Sequence, residues 1–361
     1  MLDSGRNSRY EPYMFYLVTG GSGHLGANLV RRLLSDGHRV RCLVRRGSDN
    51  SGLDGLDIER VEGDLRQPAT LDAAVRGVDA IFHAAAMLST VDGEEQVLFE
   101  TNVLGTRNLL AAARTASVGR VVVTGSFSAV GHREDGPSDE SIPFNPFDKA
   151  MPYEKSKAGV EHECLKAVVE GQDVVIATSC AILGPNDFKP SRMGRVLVDF
   201  AHGKMRAFIP GGFEFVAARD IVEGHVLAMQ KGRTGQKYII STRFVSVDNL
   251  MEIMARVTGK KKPLRLPAAV MAVVSEVTQL FFTTFFPKAP QRLTPGAVRI
   301  LRMERHADHS KAERELGFRT SPAYIEEAIV EAYQHFIARG VIHADGVQKE
   351  NATRTSNEKA A

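Results

Sequence analysis

In the stretch Met151-Pro-Tyr-Glu-Lys-Ser-Lys-Ala158, Tyr153 is followed two residues on by Lys155 and four residues on by Lys157. On a helix each residue turns by about 100°, so Lys157 falls about 40° from Tyr153 on the same face, while Lys155 points to roughly the opposite side. A free phenol, with a pKa of about 10, is a poor base at neutral pH, and an ammonium beside it makes its anion accessible. The spacing therefore pairs Tyr153 with Lys157 and leaves Lys155 in solvent. Such pairs also arise by chance on surface helices, so the meaning of this one depends on what the rest of the chain builds around it.

The loop Thr19-Gly-Gly-Ser-Gly-His-Leu-Gly26 joins a β-rich run to a helical one. Glycines at such a junction allow a tight turn, let the backbone approach a pyrophosphate and let helix pack on strand. Two registers fit: Gly21, Gly23 and Gly26, or Gly20, Gly23 and Gly26. An acid roughly 20 residues beyond the first glycine would bond the ribose of NAD. Here the next strand ends in Val44-Arg45-Arg46, and the nearest acid, Asp49, lies beyond it. Arginine offers a planar fork of donors with a permanent charge, which suits a 2′-phosphate. NADP(H) is the preferred expectation and NAD(H) the alternative; in the plainer reading both arginines solvate the strand's end. Asp64, in Glu62-Gly-Asp-Leu65, either accepts a bond from an adenine amino group or caps the following turn. His83-Ala-Ala-Ala86 ends a further strand with small residues suited to a sheet edge beneath a cofactor, His83 itself reading as structural.

These residues need a scaffold of alternating strands and helices. The strands read as Phe15–Thr19, Val40–Val44, Ile58–Val61, Ala80–His83, Arg120–Thr124 and Val174–Thr178. Between them fall a helix over Leu25–Leu34, an amphipathic stretch over Glu94–Ala116 and a helix over Tyr153–Val169. That alternation predicts an α/β fold with a doubly wound parallel sheet. After Thr178 the signals become irregular, with a helix over Ile221–Gln230, a strand over Tyr238–Ser241 and helical patterning from Val247. The expected organisation is a loose extension over 1–13, a dinucleotide-binding domain over 14–178 to which 213–241 returns, a smaller and mostly helical substrate region over 179–212 and 242–340, and a disordered tail over 341–361.

With 43% apolar and 25% charged residues, the chain has the composition of a soluble globular protein, and its net charge of +3 gives no reason to expect nucleic acid as a partner. The three cysteines, Cys42, Cys164 and Cys180, fit neither a disulfide framework nor a metal site, which points to a reducing cytoplasm. Residues 267–286, PAAVMAVVSEVTQLFFTTFF, are long enough to span a bilayer but are interrupted by Ser275, Glu276, Thr278 and Gln279. The expectation is a buried or interfacial helix whose Phe-rich end lines the substrate mouth and rests peripherally on a membrane. A homodimer is compatible with everything above.

Taken together, the motifs resemble those of an extended short-chain dehydrogenase/reductase, of the NAD-dependent epimerase/dehydratase family. That group includes nucleotide-sugar epimerases, dihydroflavonol reductases and 3β-hydroxysteroid dehydrogenases. The resemblance rests on Thr19–Gly26, Gly63-Asp64-Leu65, His83-Ala84-Ala85, Thr101–Thr106, Thr124-Gly-Ser126, Tyr153 to Lys157 and Gly184-Pro185. The segments 184–190 and 219–225 are similar to proteins labelled hopanoid-associated sugar epimerases. The resemblance implies a Rossmann sheet and selects Gly20, Gly23 and Gly26, with His24, Leu25, Asp64, Leu65, Ala84 and Ala85 beside the cofactor. It implies Tyr153 as acid/base, Lys157 as the partner that binds the nicotinamide ribose and lowers the phenol's pKa, and Ser126 as the hydroxyl that orients the substrate oxygen. Ser128 is the rival for that last role, and Asn102 matches a packing and hydrogen-bonding asparagine.

The chain departs from the nucleotide-sugar members in three places. Phe213 stands at their phosphate-binding arginine, Ala217 at their histidine, and Ser179 where many relatives carry proline. Losing that arginine argues against a diphosphate substrate. The expected activity is hydride transfer between NADP(H) and a ketone or secondary alcohol of a bulky lipophilic molecule, steroid-, polyketide- or flavonoid-like. The alternatives are a sugar or nucleotide-sugar epimerase or dehydratase that retains its NAD(P), and a non-catalytic dinucleotide sensor.

Overall fold

The computed structural model describes residues 13–89, 93–145, 151–267, 299 and 301–343. Seven strands, all parallel, form the main sheet: β1 (Phe15–Thr19), β2 (Arg39–Val44), β3 (Glu59–Glu62), β4 (Ala80–His83), β5 (Arg120–Ser126), β6 (Val174–Ser179) and a late strand, Lys237–Ile240. Their order is β3-β2-β1-β4-β5-β6 and then Lys237–Ile240 at the edge. The order reverses between β1 and β4, which opens a crevice at the carboxyl ends of these strands.

Alternation along the strands divides the core into two layers. Tyr16, Val18, Val40, Phe82, Val122 and Ala177 face one side of the sheet. They pack there against α1 (His24–Ser35) and a later helix, Ala218–Lys231. Leu17, Leu43, Ile81, Val121, Val123 and Ile176 face the other. On that side lie α2 (Leu71–Val75), α4 (Gly105–Thr115) and α5 (Pro152–Val169). Burial on both faces explains why these strands read as near-continuous apolar runs. The amphipathic stretch from Glu94 is not one regular helix. A short α3 (Glu95–Leu98) passes into a widened π turn over Phe99–Leu104 and only then into α4.

The second region is mostly helical, as expected, and carries in addition a small sheet. After β6 come β7 (Ala181–Leu183), α6 (Arg192–Ala201), β8 (Ala207–Phe208), β9 (Gly212–Ala217), α7 (Ala218–Lys231), β10 (the edge strand, Lys237–Ile240), β11 (Arg243–Ser246), α8 (Val247–Thr258) and β12 (Leu264–Arg265). Two more helices follow, α9 (Ser310–Leu316) and α10 (Tyr324–Ala338). Strands β11, β9 and β7 make a small mixed sheet with β9 in the middle. Its core gathers Phe200, Phe215, Met254, Ile329 and Phe336 from sheet and helices. Ser191 and Ser246 cap α6 and α8 by accepting from the Gly194 and Asn249 amides. Most of the apolar segment 267–286, the first twelve residues and the tail from 344 lie outside the described residues. Among the described residues no helix is long and apolar enough to cross a membrane.

Candidate active site

The glycine turn sits at the carboxyl end of β1. Gly20 has φ +71°, a conformation that side chains resist, and a Cβ there would lie 2.7 Å from the Ala85 backbone. A Cβ on Gly26 would come within 2.1 Å of the Gly20 carbonyl oxygen, so only glycine lets α1 start this close to the turn. No side chain caps α1 at Gly23 and no acid occupies its first turn. Its leading amides therefore offer an anion site at a helix N-terminus. Ala84 and Ala85 continue from β4 directly against the turn, and Leu25 packs into the sheet's core. The imidazole of His24 turns the other way, its Nε2 donating to the Gly184 and Pro185 carbonyls at 3.2 and 3.1 Å.

Beyond β2, a cavity of about 520 Å³ is lined by Arg45, Arg46, Ser48, Gly63, Asp64 and Arg66, among others. The two arginines are not equivalent. Arg46 is paired with Glu62 at 2.8 Å. Arg45 has no ion-pair partner among the described residues. Asp64 accepts from the Arg66 backbone at 2.9 Å and pairs with its guanidinium at 2.8 Å, so its carboxylate caps the turn that follows β3. Those bonds, with the Arg66 side chain first, hold its pKa below the ordinary carboxylate value. Leu65 is buried below α4, its carbonyl accepting from Asn108. The turn, the open amides and this cationic cavity fit an adenine dinucleotide.

Tyr153 and Lys157 lie on the first two turns of α5, which begins with Pro152 and has the Met151 amide held by the Glu154 carboxylate at 2.7 Å. Lys157 is 4% exposed, whereas Lys155 faces solvent. The Lys157 ammonium donates to the Thr124 carbonyl at 2.6 Å, and burial brings its pKa down to about 8. The Ser126 hydroxyl, at the end of β5, faces the Tyr153 phenol and acts to lower its pKa. Ser128 reaches Ser126 instead, hydroxyl to hydroxyl, at 2.8 Å. Burial raises the phenol above its ordinary pKa; the Ser126 hydroxyl and the Arg192 charge act in the opposite direction. Lys157 thus anchors on the Thr124 backbone, and Arg192, at the start of α6, adds a charge that favours the ionised phenol.

A buried polar chain ties this tyrosine to the glycine turn. The Ala85 amide donates to the Thr19 hydroxyl at 3.3 Å, which donates to Nδ1 of His83 at 2.7 Å. On the other side of the ring, Nε2 meets the Thr106 hydroxyl at 2.9 Å, and that hydroxyl donates to the Asn102 carbonyl at 2.6 Å. Because Thr106 has spent its proton, the ring must donate from Nε2 and accept at Nδ1. From the widened turn, the Asn102 amide donates to the Met87 carbonyl and to Ser156, whose hydroxyl donates to the Tyr153 carbonyl at 2.8 Å. His83 is buried with both ring nitrogens bonded, and burial takes its pKa down to about 3.

Residues 16–241 match the family described as the NAD dependent epimerase/dehydratase family. The chain belongs to that family. Its curated relatives include the sterol demethylase protein B of Methylococcus capsulatus, 42% identical over 91% of this chain and all of that one. They also include a 3 beta-hydroxysteroid dehydrogenase/Delta 5-->4-isomerase of Mycobacterium tuberculosis, 30% identical over 89% of this chain and 90% of that protein. Among solved structures, the dTDP-glucose 4,6-dehydratase DesIV of Streptomyces venezuelae, determined with NAD bound, superposes with a TM-score of 0.73. It is 26% identical and covers 91% of this chain and 99% of its own. Family membership makes this an NAD(P)-dependent oxidoreductase.

Three contributors to this family site escaped the reading of the sequence. Arg192 reaches the phenol's field from α6. Arg305 donates to the Val130 and Gly131 carbonyls at 2.8 and 2.9 Å and lies over the Phe127 ring, bracing the loop that carries Ser126 and Ser128. Lys189 arrives on the segment after β7. Each comes from far along the chain, and only Lys189 had a local signal, the segment Gly184-Pro-Asn-Asp-Phe-Lys-Pro190.

Proposed function

We propose that the protein moves hydride between NADP(H) and a ketone or secondary alcohol of a bulky, lipophilic, sterol-like molecule. The observation that carries this reading is the Ser126–Tyr153 hydroxyl pair beside the buried Lys157. The nicotinamide, when bound, supplies or accepts the hydride. In reduction the Tyr153 phenol gives its proton to the carbonyl oxygen, and the Ser126 hydroxyl holds that oxygen by a second hydrogen bond. In oxidation the same phenol, once ionised, takes the alcohol's proton. Lys157 holds the end of β5 in place through Thr124 and presents its charge to the cofactor's ribose.

For the cofactor, Arg45 supports a 2′-phosphate, because it has no carboxylate partner among the described residues and lines the cavity beyond β2. For the substrate, β9 supports an apolar molecule. Phe213, at the place of an arginine in nucleotide-sugar members, packs edge-on against Phe215 at 6.2 Å, and Ala217 is fully buried. The names of the relatives, a sterol demethylase protein and a steroid dehydrogenase, point the same way.

The test is to follow NADPH and NADH absorbance with the purified chain and a panel of a 3-ketosteroid, a flavonoid ketone and a nucleotide sugar. Net NADPH consumption with the polycyclic ketone is expected. Conversion of the nucleotide sugar with no net redox change would overturn the reading.

A further inference from the structure

Residues 184–190 leave β7 and run as a strap from the substrate region over the glycine turn. The strap is pinned along its length. His24 and Asn28 of α1 donate to its Gly184 and Pro185 carbonyls, the Asn28 bond being 2.8 Å, and Asn186 donates back to Asn28 at 3.0 Å. Phe188 is held between the guanidinium groups of Arg31 and Arg339, 4.9 and 4.7 Å from its ring centre, and lies against Gly52. Asp187 is 2% exposed and accepts the Ser191 amide, joining the strap to the start of α6.

With its neighbours fixed, Lys189 has one place to go. Its ammonium donates to the Ser22 hydroxyl in the glycine turn at 2.8 Å and to the Asp49 carbonyl beyond β2 at 3.0 Å. Arg45 leaves the end of β2 on the same side, close enough for its charge to disfavour the Lys189 ammonium, although burial has the larger effect and Asp49 opposes both. Two cations from different regions thus lie near enough to repel each other, Asp49 opposing that repulsion at Lys189. A dianion between them would reverse the sign of that interaction.

We propose that Lys189 is a specificity-determining residue for the 2′-phosphate of NADP(H), acting with Arg45 and Ser22 from the opposite wall of the cleft. The inference rests on the NADP(H) reading above and adds to it a residue supplied by the substrate region. The strap thereby couples cofactor choice to the placement of α6, whose first residue, Arg192, acts on the Tyr153 phenol.

Calorimetric titration with adenosine 2′,5′-bisphosphate and with 5′-ADP tests it on the full chain, with no catalysis required. One charge-assisted bond at a partly exposed site corresponds to about a tenfold change in affinity. Lys189→Met is expected to weaken the 2′,5′-bisphosphate by about that factor and leave 5′-ADP within about twofold, with Lys189→Arg restoring most of the loss. If Lys189→Met weakens both probes equally, the residue serves the diphosphate or merely holds the strap, and the inference fails. It fails also if neither affinity changes while the native chain still prefers the 2′,5′-bisphosphate. A native chain that does not distinguish the probes would instead overturn the NADP(H) reading itself.

Discussion

Two histidines buried beside the site give a prediction whose size follows from their surroundings. His83 is 3% exposed and His225 is fully buried. The His225 ring donates from Nδ1 to the Ile221 carbonyl at 2.8 Å and accepts at Nε2 from the Thr124 hydroxyl at 2.9 Å. Each neutral ring thus already has one nitrogen receiving a hydrogen bond, and a proton there would oppose a donor. Burial takes His83 to about 3 and His225 to about 4, from an ordinary value of 6.5. Between these values the unfolded chain binds protons that the folded chain refuses, so stability falls as pH falls below about 6.5. Integrated from about pH 7.5 to about pH 5, each histidine costs about 2 kcal/mol, and the two together about 4. That is a large part of a typical stability of about 5–15 kcal/mol. Glu214 and Asp220, raised chiefly by burial, act in the opposite sense, so the test is a difference between proteins. Urea unfolding of the native chain and of His225→Asn at both pH values should show the variant losing about 2 kcal/mol less on acidification, whatever its absolute stability. Equal acid losses in the two proteins would refute the claim that His225 is held neutral. Because Thr124 also presents the carbonyl that holds Lys157, the same acidification should loosen the end of β5 that carries Ser126.

Other perturbations separate the roles around the site. Tyr153→Phe should reduce turnover by about 10²- to 10⁴-fold, the range for loss of a general acid, while calorimetric cofactor affinity stays within about twofold. Lys157→Ala, which strands the Thr124 carbonyl, should impair both turnover and cofactor affinity, and Lys155→Ala should be silent in the same assays. Arg45→Ala should weaken NADPH relative to NADH by about 10- to 150-fold in direct titrations, and Arg46→Ala by much less, since Arg46 is already paired with Glu62. Arg192→Gln removes a charge that lowers the phenol's pKa, so the alkaline rise of alcohol oxidation should move to higher pH; an unchanged profile would remove Arg192 from the phenol's environment.

Much of the Rossmann sheet was legible because its strands are buried on both faces. Phe15–Thr19 and Ala80–His83 read as strands over the same residues that form β1 and β4. The small sheet was not, and β9 shows why. Gly212–Ala217 reads GFEFVA, with an acid where a core strand should be apolar; Glu214 is tolerated because Ser241 and the Ala307 amide satisfy its oxygens. Those partners lie 27 and 93 residues away, beyond any local pattern. The widened turn at Phe99–Leu104 was invisible for another reason, since a π turn keeps helical periodicity on either side of it. Spacing sufficed to put Tyr153 and Lys157 on one face. Which groups those side chains meet depended on where β5, α6 and the strap came together.

The division of labour at the site explains why such distant residues are needed. Apolar packing fixes the sheet and helices only to the tolerance with which hydrophobic surfaces slide, whereas hydrogen bonds fix individual atoms. The chain from Ala85 through Thr19, His83, Thr106, Asn102 and Ser156 supplies that finer placement, linking the cofactor turn to the backbone of Tyr153. Its members come from β1, β4 and its continuation, the widened turn, α4 and α5, so in this half of the site it joins the sheet to the helices on that side. The other half, with Lys189 and Arg192, belongs to the strap and α6 and is held to the first by α1. The phenol is the point where the halves meet, since Ser126 of the sheet and Arg192 of α6 both act to lower its pKa. Raised above its ordinary value by burial, it stays protonated at neutral pH, and the Arg192 charge favours its ionised form. On the function proposed above, proton delivery to a carbonyl draws on the sheet half, whereas alcohol oxidation, which needs the phenolate, draws also on the Arg192 charge from α6.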